Sequence, residues 1–180
     1  WGFEDIKVNL NLSVVQLQNK GIVEAFKTVV DANNIDSSNL VLEITESTLQ
    51  NSRARITLSK LKLLGFKVAI DDFGTGFSCI SELAEDIYDA IKIDRSLLPS
   101  FPLNDDGAKR RALIIENVIS LCSALDMPCT LEGLETSEQV SFARRIGATA
   151  MQGYHFAKPL NMFALMEYMQ AHHASKTQAG

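Results

Sequence analysis

The chain has 180 residues, of which 46% are hydrophobic and 22% charged, and this suits one globular domain with a sizeable core. The formal net charge of -5 argues against binding to a nucleic-acid polymer, which requires a basic face. The sequence contains no apolar run near the roughly 20 residues of a membrane span, and its three cysteines lack paired spacing. Because the first residues are mixed and polar, we expect no signal peptide. We therefore expect a cytoplasmic location, although other segments of a parent protein could anchor it to a membrane.

Hydrophobic periodicity predicts six strands, each followed by a helix. The strands are predicted at residues 5–12, 40–44, 66–70, 88–93, 127–131 and 148–151. The helices are predicted at residues 19–33, 52–64, 78–83, 109–125, 137–146 and 161–172, with Gly65 as the C-cap of the second. Such alternation implies a parallel sheet with right-handed crossovers. Residues 1–173 are expected to form the domain and 174–180 a disordered tail, and 99–107 a long surface loop.

Polar side chains fall where the predicted strands end. Five of the six strands end in a carboxylate or an amide, and the other carries a lysine near its end. In chain order these residues are Asn11, Glu43, Asp71 with Asp72, Lys92 with Asp94 just after it, Glu132 and Gln152. Barrel and open α/β enzymes place their chemistry at these strand ends. Each residue alone has a structural explanation, such as a loop contact for Asn11 or an inner salt bridge for Lys92, but the set indicates a site.

The adjacent carboxylates of Asp71 and Asp72 indicate a metal. They directly follow the apolar run 66–70, where two ionised groups are costly without a compensating charge. Four carboxylates at one end of a sheet repel one another unless cations lie among them. Oxygen ligands without His or Cys suit Mg²⁺ or Mn²⁺ better than Zn²⁺. Two metals that share one aspartate are a known arrangement for cutting phosphodiesters.

The segment after these aspartates is predicted to be a flexible loop. It reads Phe73-Gly74-Thr75-Gly76, and its glycines allow a sharp turn and the close approach of a ligand. The acidic net charge does not exclude a small phosphorylated ligand, because bound metals reverse the local charge. We therefore expect the metal site to open onto this loop.

Six short motifs follow one another along the chain. They are VNLNLS (8–13), LEITES (42–47), DDFGTG (71–76), IKIDRS (91–96), EGLET (132–136) and QGY (152–154). In sequence and order they resemble the EAL-domain cyclic-di-GMP phosphodiesterases. The resemblance implies a TIM-barrel-like (β/α) fold with about six β/α units present. It also implies hydrolysis of cyclic di-GMP to linear pGpG in bacterial second-messenger signalling.

The resemblance further implies two metal ions held by oxygen ligands. Asn11, Glu43 and Asp71 resemble the ligands of one metal. Asp71, Asp72 and Glu132 resemble those of the second, so that Asp71 bridges the two ions. Both positions are expected to take Mg²⁺ or Mn²⁺.

Further residues resemble those that act on water and substrate. Lys92 would hold or polarise the attacking water, Gln152 would complete the water or phosphate shell, and Glu132 belongs with them at the catalytic centre. Glu46 resembles a glutamate that anchors the substrate-binding loop. The residues expected to bind substrate are Phe73, Gly74, Thr75, Gly76, Ser78 and Asp94.

The Glu-Ala-Leu motif that names this family is absent. The similar string Val23-Glu24-Ala25-Phe26 lies on a predicted helix after the first strand, whereas the family's motif precedes that strand. The N-terminal part of an eight-stranded barrel and one metal ligand are therefore expected to be missing, and the chain alone is expected to be weakly active or inactive.

Two other interpretations stay open. One is a non-catalytic cyclic-di-GMP receptor or a protein-interaction domain derived from the fold, and the other is a barrel fragment without a site. Because the first strand of an open barrel offers an unpaired edge, we expect a homodimer. Sensor or GGDEF-type domains upstream in a parent protein are compatible with the sequence.

Overall fold

The computed structural model describes residues 6–75, 83–84 and 86–177, and these form one parallel sheet with flanking helices. The six strands are β1 (Val8–Asn11), β2 (Leu40–Thr45), β3 (Lys67–Phe73), β4 (Ala90–Ile93), β5 (Cys129–Leu131) and β6 (Ala150–Met151). Each strand pairs in parallel with the next along the chain. This sequential order is that of a barrel, whereas a doubly wound sheet reverses its order. The predicted TIM-barrel-like α/β fold is confirmed.

The helices fill the connections between the strands. The α-helices in the described ranges are α1 (Val14–Leu17), α2 (Ile22–Asn33), α3 (Ser52–Leu63), α4 (Asp106–Ala124), α5 (Ser137–Arg145) and α6 (Met162–Thr177). Short 3-10 helices at Ser37–Asn39, Glu46–Gln50 and Arg95–Leu97 lie between them. Within the part of the chain that the structure describes, no helix is both long and apolar enough to cross a membrane.

Local sequence signals fix several helix ends. Ser13 with Gln16 begins α1, and Thr136 with Gln139 begins α5, each as a reciprocal capping box. Gly65 ends α3 with φ +96°, and its amide and the next one donate to carbonyls in the last turn of the helix. This is the C-cap predicted for Gly65, because glycine adopts the left-handed conformation without steric cost.

The core lies between the sheet and the helices. β2 and β3 are apolar on both faces, so each presents a run of three or four successive buried residues, as expected for parallel strands covered by helices. On α3, Leu58 and Leu61 are fully buried against the sheet, and each such side chain contributes about 1.5–3 kcal/mol by burial. Phe66 packs edge-to-face on Phe26 at 5.3 Å between ring centroids, which ties α2 to the start of β3.

The element bounds differ from the predicted ones at several places. α1 was not predicted, α2 begins at Ile22 rather than 19, and α4 begins at Asp106 rather than 109. The loop predicted at 99–107 lies on the surface in part only, since Phe101 packs against Phe142 at 5.4 Å. α6 continues to Thr177, into the segment predicted as a tail, and residues 178–180 lie outside the described ranges. Residues 78–82 of the third predicted helix also lie outside them.

Candidate metal centre at the carboxyl ends of the strands

The parallel sheet brings most of the predicted site residues to one end. Register pairs Asn11 with Glu43 across β1 and β2, and Thr45 with Asp71 across β2 and β3. The other residues follow at or just beyond the ends of successive strands, with Asp72 in β3, Lys92 in β4, Glu132 after β5 and Gln152 after β6. Because all strands run in one direction, their carboxyl ends share one edge of the sheet.

Lys92 is the centre of this arrangement. Its Nζ lies 2.7 Å from Glu43 Oε1, 2.9 Å from Asp71 Oδ1 and 2.6 Å from Glu132 Oε1. Lys92 and Glu43 are each only 5% exposed. Burial by itself would lower the pKa of Lys92, but hydrogen bonds to the three carboxylates outweigh that effect and raise the pKa above the ordinary lysine value. Lys92 is therefore a protonated hydrogen-bond donor at neutral pH.

Three carboxylates form a second, overlapping cluster. One oxygen each from Asp71, Asp72 and Glu132 lies within 4.8 Å of the others. The backbone makes this possible, because the register between β3 and β4 shifts after Ile70 and Asp72 adopts φ +54°. A non-glycine residue in the left-handed region is uncommon and aspartate is among those that tolerate it. Two consecutive side chains of β3 thereby reach the same site.

The electrostatics of this cluster are unfavourable without a further cation. Burial raises the pKa of Glu132, and Lys92 only partly opposes that effect. Burial, followed by the negative charge of Asp71, raises the pKa of Asp72. Lys92 contacts Glu43, Asp71 and Glu132, and Asp72 adds a fourth carboxylate beside them, so negative charge is in excess among these described residues. An all-oxygen donor set with excess negative charge fits a hard divalent cation.

Two predicted residues lie at the outer strands of the sheet. Asn11 on β1 and Gln152 after β6 are exposed, unlike Lys92 and Glu43. The Gln152 backbone accepts a hydrogen bond from Leu134 N at 3.1 Å and donates one to Leu131 O at 3.0 Å. Their predicted roles as a metal ligand and as part of the water or phosphate shell remain predictions.

The loop after β3 is tied down near the site by Glu46. Its Oε1 accepts a hydrogen bond from the Gly74 amide at 3.0 Å, while Thr75 bonds back to the Asp72 carbonyl through both N and Oγ1. Phe73 is buried beneath this turn. Gly76 and Ser78, which were also predicted to bind substrate, lie outside the described residues.

Asp94 has a local structural contact as well as its predicted substrate contact. Its Oδ1 accepts a hydrogen bond from Ser96 N at 2.8 Å and so caps the 3-10 helix Arg95–Leu97. Burial opposes ionisation, but these hydrogen bonds hold the pKa of Asp94 below its ordinary value. The carboxylate therefore stays ionised while it orders the segment behind Lys92.

Asn9 contacts a residue of the site, and the sequence analysis did not predict this contact. Its Nδ2 lies 2.6 Å from Glu43 Oε1, the same oxygen that Lys92 contacts. The two-residue period of a strand was the available signal, because Asn9 and Asn11 share one face of β1.

The sequence comparisons identify the family. The family model for the EAL domain matches residues 1–159, and the chain therefore belongs to the EAL domain family. EAL domains are metal-dependent, which agrees with the group of Asp71, Asp72 and Glu132 that can hold an ion.

Its relatives include named phosphodiesterases. The chain is 31% identical over 173 residues to the cyclic di-GMP phosphodiesterase NbdA of Pseudomonas aeruginosa, an alignment that covers 95% of this chain and 22% of NbdA. It is 37% identical over 168 residues to an uncharacterized signaling protein of Caulobacter vibrioides, covering 92% of this chain and 20% of that protein. The chain thus spans about a fifth of the length of these relatives.

Solved structures share the fold. The PaMucR phosphodiesterase in its c-di-GMP complex superposes with a TM-score of 0.81 at 30% identity, covering 91% of this chain and 66% of that one. The EAL domain of Mycobacterium smegmatis DcpA gives a TM-score of 0.77 at 34% identity, covering 86% of this chain and 69% of that one.

Proposed function

We propose that this chain belongs to a domain that hydrolyses cyclic di-GMP to linear pGpG with the help of Mg²⁺ or Mn²⁺. The observation that carries the proposal is the cluster of Asp71, Asp72 and Glu132 beside Lys92. The proposal is supported by the cyclic di-GMP complex of the similar PaMucR phosphodiesterase and by the activity named for NbdA.

The two ligand sets are those that the resemblance to the EAL domains implies. Asn11, Glu43 and Asp71 would hold one ion, and Asp71, Asp72 and Glu132 would hold the other. When bound, such ions lower the pKa of coordinated water and stabilise charge that develops on the phosphate. The short distances among the Asp71, Asp72 and Glu132 oxygens support the second set most strongly.

Lys92 would act as a donor rather than as a base. Since its pKa is raised by three carboxylate contacts, it keeps its proton at neutral pH. Its three N–H groups face Glu43, Asp71 and Glu132, so one of them would have to turn from a carboxylate that an ion holds instead towards a water or a phosphate oxygen. Its contacts with Glu43 and Glu132 also hold these two carboxylates around the same ammonium. Lys92 would thus orient both the ligands and the attacking water.

Glu46 and Asp94 would hold in place the segments that are expected to bind substrate. Glu46 holds Gly74 against the site, and Thr75 closes the turn by bonding to the Asp72 carbonyl. Gln152 would extend the water or phosphate shell from β6. This arrangement would fix the substrate-binding loop relative to the Asp71–Asp72 pair.

The test is hydrolysis of cyclic di-GMP with Mg²⁺ or Mn²⁺, followed by chromatography of pGpG. We expect weak turnover by this chain, because its described residues supply six strands of an eight-stranded barrel. Asp72→Asn should abolish turnover and preserve the fold, whereas Asp106→Asn, at an 88% exposed side chain on α4, should not change it. Binding of cyclic di-GMP without any turnover, both by this chain and by an N-terminally extended version, would instead indicate the non-catalytic receptor.

A second proposal concerns assembly. Within the described residues β1 pairs on one side only, and three of its four residues are exposed. Exposed strand edges recruit partners, and we therefore propose a homodimer through this edge. Light scattering should give twice the monomer mass, and a monomer at high concentration would contradict the proposal.

A further inference from the structure

Asn9 lies below the predicted ligand Asn11 on the same face of β1. Register pairs Asn9 with Val41 and Asn11 with Glu43, so Asn9 is one layer deeper in the sheet. From there its side chain reaches diagonally to Glu43, with Nδ2 at 2.6 Å from Oε1. Only the N–H side of the amide can face an ionised carboxylate oxygen, so Asn9 is the donor.

Glu43 thus receives two donors on one oxygen. Lys92 Nζ approaches Oε1 at 2.7 Å from β4, and Asn9 approaches the same oxygen from β1. Donors on opposite sides fix the rotation of the carboxylate and direct Oε2 away from both of them. Outer hydrogen bonds of this kind orient metal-binding carboxylates and raise affinity.

We propose that Asn9 is a positioning residue that presents Glu43 Oε2 to a divalent cation. The inference rests on the proposed function in that it takes Glu43 as a metal ligand. Asn9 acts through Glu43 and does not itself touch the cation. Since Lys92 still holds Oε1 when Asn9 is replaced, the expected loss of affinity is about tenfold, at the low end for such contacts.

The test is titration calorimetry of the whole chain with Mn²⁺. Asn9→Ala removes the donor and the volume, whereas Asn9→Leu restores most of the volume without the donor. Both variants should bind Mn²⁺ about tenfold more weakly than the wild type while remaining folded at the titration temperature in chelator buffer. The matched control is Asn117→Leu on α4, whose side chain donates to Leu113 O at 2.7 Å, and it should bind like the wild type.

Each outcome decides the inference. Recovery of affinity by Asn9→Leu would show that volume matters and not the hydrogen bond, and would overturn it. Unchanged affinity in both variants, or no Mn²⁺ binding by the wild type, would also overturn it. Turnover of cyclic di-GMP is measured separately. Weaker Mn²⁺ binding in both variants, with no turnover by the wild-type chain or by an N-terminally extended version, would support the positioning role of Asn9 and refute the proposed hydrolysis.

Discussion

Replacing Lys92 by methionine should destabilise the chain far more than replacing a surface lysine. Lys92→Met keeps most of the side-chain volume but removes the ammonium that lies within 2.9 Å of Glu43, Asp71 and Glu132. Removing one partner of a buried ion pair costs about 3–5 kcal/mol, because a buried charge is left uncompensated. That is a large part of the roughly 5–15 kcal/mol that separates folded from unfolded domains.

The matched control is Lys67→Met. Lys67 Nζ lies 3.3 Å from Asp89 Oδ1, but its side chain is 47% exposed, whereas that of Lys92 is 7% exposed. Exposed ion pairs contribute about 0–1 kcal/mol, so this variant should stay close to the wild type. Urea denaturation of the three proteins in chelator buffer at pH 7 gives the two differences directly.

Two further measurements test why Lys92→Met lowers the free energy of unfolding. Burial raises the pKa of Glu132 even with Lys92 present, so without the lysine a proton on Glu132 removes part of the uncompensated charge, and the loss in unfolding free energy should shrink as the pH falls towards 5. Added Mn²⁺ should also reduce it, because a cation among the carboxylates replaces the lost charge. If Lys92→Met is as stable as Lys67→Met at pH 7, the reasoning about uncompensated buried charge is wrong.

Three more predictions concern other parts of the site. Burial raises the pKa of Glu132, and burial together with the negative charge of Asp71 raises the pKa of Asp72. Both groups should therefore increase the free energy of unfolding in chelator buffer as the pH falls from 7 towards about 4, and Glu132→Gln should reduce this pH dependence. Gly153→Ala should lower the free energy of unfolding in urea melts by several kcal/mol, since the added Cβ would lie 2.1 Å from the backbone oxygen of Leu134. Gly21→Ala, whose Cβ would lie 3.7 Å from its nearest neighbour, should stay within about 1 kcal/mol of the wild type. Glu46→Ala should raise KM more than Glu46→Gln, which keeps an acceptor for the loop amide; equal KM values would contradict the anchoring role.

The strands were predictable because buried strands are visible in the sequence as short apolar runs. β3 contains an apolar run from Val68 to Ile70, and β2 is apolar from Leu40 to Ile44 apart from Glu43, which is the pattern of parallel strands covered on both sides. Their parallel direction follows from the alternation with helices, whereas the sequential order of a barrel was implied by the resemblance to the EAL domains. The short helix α1 was missed although its capping box, Ser13 and Gln16, is visible in the sequence, because four residues give too little periodicity.

The position of the site residues at one end of the sheet was predictable, and their contacts were not. Strand ends select Glu43, Asp71, Lys92 and Glu132, because parallel strands share one carboxyl edge. The register shift after Ile70 depends on how β3 packs against β4, and no pattern of residue types in the sequence predicts it. That shift lets two consecutive aspartates face the same cluster, which strict strand alternation would forbid.

The contacts of Lys92 explain how four carboxylates can be held together in a fold. The ammonium contacts one oxygen each of Glu43, Asp71 and Glu132, and every carboxylate has a second oxygen. Lysine binding and cation binding are therefore compatible, since they can use different oxygens of the same residues. The lysine lowers the repulsion that would otherwise oppose folding, while Asp72, which it does not contact directly, adds negative charge on the open side. A site built in this way is ordered before an ion arrives and remains attractive to one.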